Sequence, residues 1–406
     1  MQIEIRRYEG DVHSWADLVW VAFGERFDDG DLPAFEAAHE PERALAAYDG
    51  DRPVGAAGIF SFSLTVPGGE LPAAGVTTVG VHPTHRRRGI LRQLMRRQLD
   101  DVRAAGEPLA ILWASEGGIY QRFGYGQGSV GLSFDVDRHR TAFRTHFEPA
   151  GTMRLVERDE ATRLMPHIFD RYRPTRPGCT TRSAANWEAE SFHDPEHQRN
   201  GGSPRFYAIH ETDGTPDGYV AYRIFGNWGP RGAAGRLDVN ELLGLSSDVE
   251  RDLWRYAFDV DLMATTSAWN VPIDSPMPLW MAEPRRLGAT IGDALWLRVV
   301  DVVGALEGRS YAASGELTFE LTDAFMPQNA GTWKLAAEAG GARVVRAGGS
   351  AQLALDTTDL AAIYLGTFAP SRLVRAGRAR ELLPGGAALA DALFATAIAP
   401  WCSKVF

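Results

Sequence analysis

The densest chemistry in the sequence lies between Val79 and Leu91, which read V-G-V-H-P-T-H-R-R-R-G-I-L. An apolar run ends at Val81, Pro83 breaks it, and three arginines precede Gly89 and the apolar spacing of a helix. A strand that stops at a turn and feeds a helix start presents successive unpaired backbone N–H groups. Such a terminus carries about half a positive charge and holds a phosphate well. Gly89 permits close backbone approach, while Arg86 and Arg87 add charge suited to a pyrophosphate. An arginine run alone is a common solvated helix start. The order strand, V-x-P, Arg-x-x-Gly, helix makes an anion site the better reading. His82 and His85 share the turn, but the flanking arginines disfavour a metal cation there.

Two further groups stand out. Glu25, Asp28, Asp29 and Asp31 form an acidic loop interleaved with Phe23, Phe27 and Phe35. That mixture suits a polyamine or a lysine side chain, and it equally suits a solvated loop. Tyr120 lies in I-Y-Q-R-F-G-Y-G, just after a short apolar run. Tyr125, in the same segment, reads as a packed aromatic.

The elements that must position these residues follow from periodicity. Residues 14–24 have helical spacing, and a second helical stretch around 32–47 leads into a strand ending at Tyr48. Asp49-Gly50 turns the chain into a strand over Val54–Val66, and Pro67-Gly68-Gly69 turns it again toward a strand over Gly75–Val81. After the basic turn comes an amphipathic helix, with Ile90, Leu94, Met95, Leu99 and Val102 on one face and Gly106 ending it. Leu109–Ala114 is a short buried strand. From about 150 to 292 the same order returns in degenerate form, with strands at Phe206–His210, Tyr219–Phe225 and Arg236–Leu245 and a helix over Asp248–Phe258. The basic glycine turn is missing from this copy, which marks it as structural. From 293 onward the pattern becomes a different α+β arrangement, beginning with a strand-like run at Leu295–Val300.

The chain has 406 residues, more than one ordinary core accommodates, which points to two or three domains. A net charge of −10 argues against general nucleic-acid binding, which needs a basic surface. The two cysteines, Cys179 and Cys402, form neither a metal-ligand spacing nor a disulfide framework. With no apolar leader and no run near the ~20 residues of a membrane span, the reading is a cytoplasmic protein without membrane attachment.

The combination P-T-H-R-R-R-G-I-L-R followed by A-S-E-G-G-I-Y-Q-R-F-G-Y-G resembles the Eis (enhanced intracellular survival) branch of the GNAT acetyltransferases. Leu91 departs from the general GNAT pattern R/Q-x-x-G-x-G/A and agrees with that branch. The resemblance implies an α+β chain of tandem GNAT-like domains, each a mixed twisted sheet flanked by helices, over residues 1–148 and 149–292. A sterol-carrier-protein-like α+β domain follows over 293–406.

Several roles follow from the same resemblance. Val79 and Val81 hold the pantetheine arm of acetyl-CoA by strand-like pairing. Arg86, Arg87 and Gly89 meet its pyrophosphate, Ile90 and Leu91 also belong to the cofactor site, and Ser115 lines the cofactor side, though a helix-cap role fits Ser115 as well. Tyr120 becomes the general acid, and the terminal carboxylate of Phe406 becomes the base that deprotonates an amine. Phe23, Glu25, Asp28 and Phe35 face the acceptor, no metal takes part, and the chain forms a homo-oligomer, a hexamer by analogy. The function implied is N-acetylation of aminoglycoside-like polyamines or lysine side chains. A non-catalytic acyl-CoA-responsive binder and a lipid carrier acting through the last domain are the competing readings.

The anion-site assignment has a direct test. Gly89→Asp puts a carboxylate where the pyrophosphate docks, so acetyl-CoA binding should weaken more than ~10-fold by calorimetry, about 1.4 kcal/mol. Unchanged affinity in a folded variant would contradict it.

Overall fold

The alternation of apolar and small residues from Arg52 to Val81 becomes a long hairpin that organises the first half of the chain. In the computed structural model, which describes residues 3–230, 232–338 and 340–406, this hairpin lies inside a seven-stranded sheet. Its first elements are β1 (Ile3–Arg7), α1 (Val12–Phe23), α2 (Leu32–Ala38), β2 (Leu45–Asp49), β3 (Arg52–Val66) and β4 (Gly69–Val81). Then come α3 (Ile90–Ala104), β5 (Leu109–Trp113) and β6 (Gly126–Gln127). The sheet runs β1-β2-β3-β4-β5, then the strand Leu295–Val299, then β6. All pairings are antiparallel except β4 with β5, which α3 connects as a crossover.

Two compact units divide the chain. One comprises Met1–Ser129, Arg176–Ala189 and Asp293–Phe406, and the other Val130–Thr175 and Glu190–Gly292. Strands therefore cross the boundaries expected at 148 and 292. Val130–Asp137, expected in the first domain, pairs with Met263–Pro272 in a second seven-stranded sheet. Leu295–Val299, expected to open the third domain, instead pairs along its whole length with β5. Periodicity registers that a segment is a strand, and its partner is set by packing far away in sequence.

The second unit repeats the first in outline. Thr215–Phe225 and Gly235–Gly244 form a hairpin, Ser247–Asp259 is the crossover helix, and Met263–Pro272 is the parallel partner. The difference is at the helix start. Ser246 caps that helix with its own side chain, accepting from the Val249 N–H, whereas α3 begins at Gly89 without a side-chain cap. The first copy keeps its helix donors open, and the second satisfies one internally.

Within the first unit a five-stranded sheet follows, in the order Gly341–Arg346, Gly331–Glu338, Gly315–Thr322, Leu353–Asp356, Arg380–Glu381. It shares one apolar core with the first sheet: Phe62, Leu64, Ile111 and Leu297 lie in the same buried cluster as Phe319, Trp333, Leu360 and Phe394.

A buried ion pair crosses this junction. Arg298, on the strand beside β5, donates to Asp323 at 2.5 Å, and both side chains are fully buried. Arg298 also donates to Thr357 Oγ1 at 2.7 Å, while Asp323 accepts from the Met326 N–H at 2.8 Å and from Asn329 Nδ2 at 3.1 Å. Removing one partner strands a charge in the core. Asp323→Ala should cost about 3–5 kcal/mol, and the double variant Arg298→Met/Asp323→Leu should recover most of it. Thermal unfolding of the three proteins reads this out, and equal losses in single and double variants would contradict it.

Candidate active site

The site is built where β4 leaves β5. Their parallel register covers only Ala73↔Leu109, Ala74↔Ala110 and Gly75↔Ile111. Beyond Gly75 the pairing of β4 with β3 also shifts, with Ala56 opposite Gly80 and Gly58 opposite Thr77. The extra residue is a bulge in which Thr78 takes φ of 49°, a left-handed value uncommon for a branched residue. The bulge re-aims the end of β4, so the β5-facing edge from Val76 to Val81 has no strand partner among the described residues.

A cavity of about 750 Å³ opens at this edge. Its walls bring together Val79, Val81, Arg86, Arg87, Gly89, Ile90, Leu91, Ser115 and Tyr120, residues separated by up to a tenth of the chain. Gly89 has φ of 78°, and nothing occupies the space its missing side chain would take. Arg87, also left-handed at φ of 63°, has no hydrogen-bond or ion-pair partner among the described residues. Arg86 is different: its guanidinium donates to the carbonyls of Ala22 and Val81, tying the end of α1 to the end of β4. Its charge lines the cavity, but its Nε and Nη2 are already engaged. His85 likewise braces the turn, bonding Thr84 at 2.7 Å and Asp49 at 3.1 Å. Ser115 is not the cap of the following short helix, a position taken by Glu116.

Tyr120 sits at the end of the helical turn Gly117–Tyr120, only 7% exposed. It packs with Ala74, Val76 and Met95 on the α3 side of the sheet, and its ring lies 6.0 Å from that of the fully buried Tyr125. Burial pushes its pKa up to about 12, which keeps the phenol protonated across the physiological range.

The other expected groups lie elsewhere. Phe23 is on the cavity wall beside Ala22, 54% exposed. Glu25, Asp28 and Phe35 are outside that lining. Asp28 caps a short 3-10 turn by accepting from the Gly30 N–H at 2.8 Å. Phe35 stands in an aromatic cluster, 5.4 Å from Trp20 and 5.6 Å from Phe27. Phe406 lies on the opposite face of the sheet from Tyr120. Its ring is 4.9 Å from Phe62, and a side chain at Gly75 would come within 3.3 Å of it. Because Gly75 alternates with Ala74 and Val76 along β4, Tyr120 and Phe406 flank the parting of β4 and β5 from its two faces.

Arg122 and Glu116 also line the cavity; neither is assigned a role from sequence, although both stand within the segment that carries Tyr120. Sequence reading missed Arg298, whose Nη1 reaches the Gly124 carbonyl at 3.4 Å and so braces the turn after Tyr120.

Comparison with known proteins identifies the domains and the family. Residues 4–128 match an acetyltransferase (GNAT) domain, 178–299 a second acetyltransferase (GNAT) domain, and 302–403 a sterol carrier protein domain. An uncharacterized N-acetyltransferase of Streptomyces avermitilis is 41% identical, with 98% of each chain covered. N-acetyltransferase Eis of Mycobacterium tuberculosis is 33% identical over 83% of each chain. The chain belongs to the Eis family of GNAT acetyltransferases. Among solved structures, Eis1 from Mycobacterium abscessus superposes with a TM-score of 0.86 at 31% identity, covering 99% of this chain and all of that one. A GCN5-related N-acetyltransferase from Anabaena variabilis, at 19% identity and a TM-score of 0.85, shares the fold. The tandem GNAT and sterol-carrier arrangement is thereby that of an acetyltransferase.

The burial of Tyr120 has a spectroscopic consequence. In a difference titration of phenolate absorbance between the wild-type protein and Tyr120→Phe, this side chain should stay protonated near pH ~11, where an exposed tyrosine of pKa ~10 is mostly ionised. A midpoint near 10 would contradict the burial.

Proposed function

We propose that this acetyltransferase moves the acetyl group of acetyl-CoA to a primary amine of a cationic acceptor, an aminoglycoside-like polyamine or a lysine side chain, by direct attack on the thioester. One observation carries the reading: a single cavity joins the uncapped start of α3 to Tyr120 along the unpaired edge of β4.

The residues present fit the cosubstrate. The open space over Gly89, the unpartnered Arg87 and the free first-turn N–H groups of α3 suit a diphosphate. The backbone of Val79 and Val81, along the edge that β5 leaves, suits the amides of a pantetheine arm, with Ile90, Leu91 and Ser115 along its course. Bound there, acetyl-CoA supplies an activated acyl carbon and a thiolate leaving group.

The chain's own groups manage two protons. As the C–N bond forms and the C–S bond breaks, Tyr120 donates its phenolic proton to the departing sulfur. From about 12 to a thiol near ~8.5 is a gap of ~3.5 units, or ~5 kcal/mol for complete transfer. Burial raises the thiol as it raises the phenol, which narrows that gap. On the amine side the carboxylate of Phe406 accepts the proton, directly or through water. A free α-carboxylate of pKa ~3.3–3.7 is a weak base, and desolvation strengthens it. Phe23, Glu25, Asp28 and Phe35 belong to the acceptor side, where carboxylates and aromatic faces favour cations.

The same proposal includes a cytoplasmic homo-oligomer, a hexamer by family resemblance. Exposed Trp228, Trp269, Leu279 and Ile291 in the second unit support an assembly surface. Among the described residues no helix is long and apolar enough to cross a membrane.

The test is thiol release from acetyl-CoA against a panel of spermine, an aminoglycoside and a lysine peptide. Amine-dependent release is expected, and Tyr120→Phe should lower kcat by ~10²–10⁴-fold with little change in KM for acetyl-CoA. Thiol release that no amine accelerates would overturn direct transfer.

A further inference from the structure

A chain terminus used as a base faces a physical difficulty. Terminal residues fray unless tied down, while a proton acceptor must sit within hydrogen-bond reach of its donor. Displacement by about 1 Å can cost ~10²-fold in rate. Something must hold Phe406.

From the contacts around Trp401 we infer that residues 176–182 form a strap that positions the terminal carboxylate, with Gly178 and Arg182 as its positioning residues. The inference rests on the reading of Phe406 as base. The strap comes from sequence flanked on both sides by the second unit, yet it belongs to the first.

One side of the strap is sewn to β3. The Gly178 N–H donates to the Thr65 carbonyl at 2.8 Å, and the Thr65 N–H to the Cys179 carbonyl at 2.8 Å. The Thr181 N–H donates to the Ser63 carbonyl at 2.9 Å, and the Ser63 N–H to Thr181 Oγ1 at 3.0 Å. The other side holds the tail. The Trp401 N–H donates to the Pro177 carbonyl at 2.8 Å, and Arg176 to the Ala399 carbonyl at 2.9 Å. The Cys179 thiol reaches the Trp401 carbonyl at 3.4 Å, and Arg182 donates to Ser403 Oγ. Trp401, Cys402 and Ser403 are buried as a result.

Two details make the contact specific. Gly178 has φ of 93°, and a β-carbon there would lie 3.0 Å from both the nitrogen and the oxygen of Trp401, so any side chain at this position is strained and pushes strap and tail apart. Arg182 lies over the Trp187 ring at 4.5 Å, which fixes its guanidinium while it holds Ser403. From Ser403 to Phe406 the chain spans at most roughly 10 Å, and its far end is docked on Phe62 and Gly75. The residue that bears the carboxylate is thus held at its own ring and, three residues back, at Ser403. The helix after the strap, Ala184–Trp187, packs on α2, so the element bearing Phe35 is joined to the same frame.

The experiment compares Gly178→Ala, Arg182→Gln, Arg182→Lys, Ser403→Ala and the double variant Arg182→Gln/Ser403→Ala with a chain lacking Phe406. Carboxypeptidase release of Phe406, followed by mass spectrometry, reads tail docking without any acceptor. Kinetics with the fastest panel amine, and calorimetry with acetyl-CoA, read function. Gly178→Ala and Arg182→Gln should free Phe406 at least ~10-fold faster and lower kcat by at least ~10-fold. Acetyl-CoA affinity should stay within ~2-fold, Arg182→Lys should regain part of the rate, and the double variant should lose no more than Arg182→Gln. Wild-type protection of Phe406 in these variants, or wild-type kcat with a freed tail, would overturn the strap. Full activity of the chain lacking Phe406 would instead sink the base reading.

Discussion

Everything in the first unit depends on β4 leaving β5 after Gly75 and Ile111. A continuous parallel pair there would satisfy its own backbone and leave no edge for a ligand. The bulge at Thr78 ends that possibility, because a left-handed residue in a strand turns the following backbone out of register. The opening then has two faces. The α3 face carries the arginine turn and Tyr120, and the other face carries the docked ring of Phe406. In the proposed reaction, the thioester and the amine would meet these two groups from opposite sides of the gap.

Such a gap weakens the sheet, and the fold compensates nearby. The free side of β5 is closed by Leu295–Val299, a strand brought from beyond the second unit in sequence. That strand buries Leu295 and Leu297 in a core shared with the sterol-carrier-like domain, and it carries Arg298 into the ion pair with Asp323. Burial of the Arg298 guanidinium pulls its pKa down while Asp323 opposes the shift. The third domain is therefore a structural part of the cavity-bearing unit, since its Asp323 holds Arg298 against the turn after Tyr120 and its tail docks on β3 and β4.

What was legible in the sequence was local. The turn from Val79 to Leu91 encodes its own shape, through Pro83, the glycine at 89 and the amphipathic spacing of α3, so its residues meet in one cavity. Val54–Val66 and Ser247–Asp259 likewise announce themselves by period and cap. The exchange of Val130–Asp137 and Leu295–Val299 between units was not legible, because a strand's alternation carries no record of its partner. The strap was hidden for the same reason: R-P-G-C-T-T-R reads as a loop, and its contacts lie more than two hundred positions downstream. The acidic loop was ambiguous on composition, and Asp28 spends a carboxylate oxygen on its own turn.

The most direct measurement removes the terminal charge and nothing else. Because Cys402 follows Trp401, ligation of residues 1–401 to a synthetic CSKVF peptide ending in an amide yields the full chain with Phe406 intact and its carboxylate neutralised. Compared with the same ligation product bearing the free acid, the amide should bind acetyl-CoA equally and lose at least ~10²-fold in amine acetylation, the typical loss for a positioned base. Equal turnover in the two products would contradict the account and leave the amine's proton to another group.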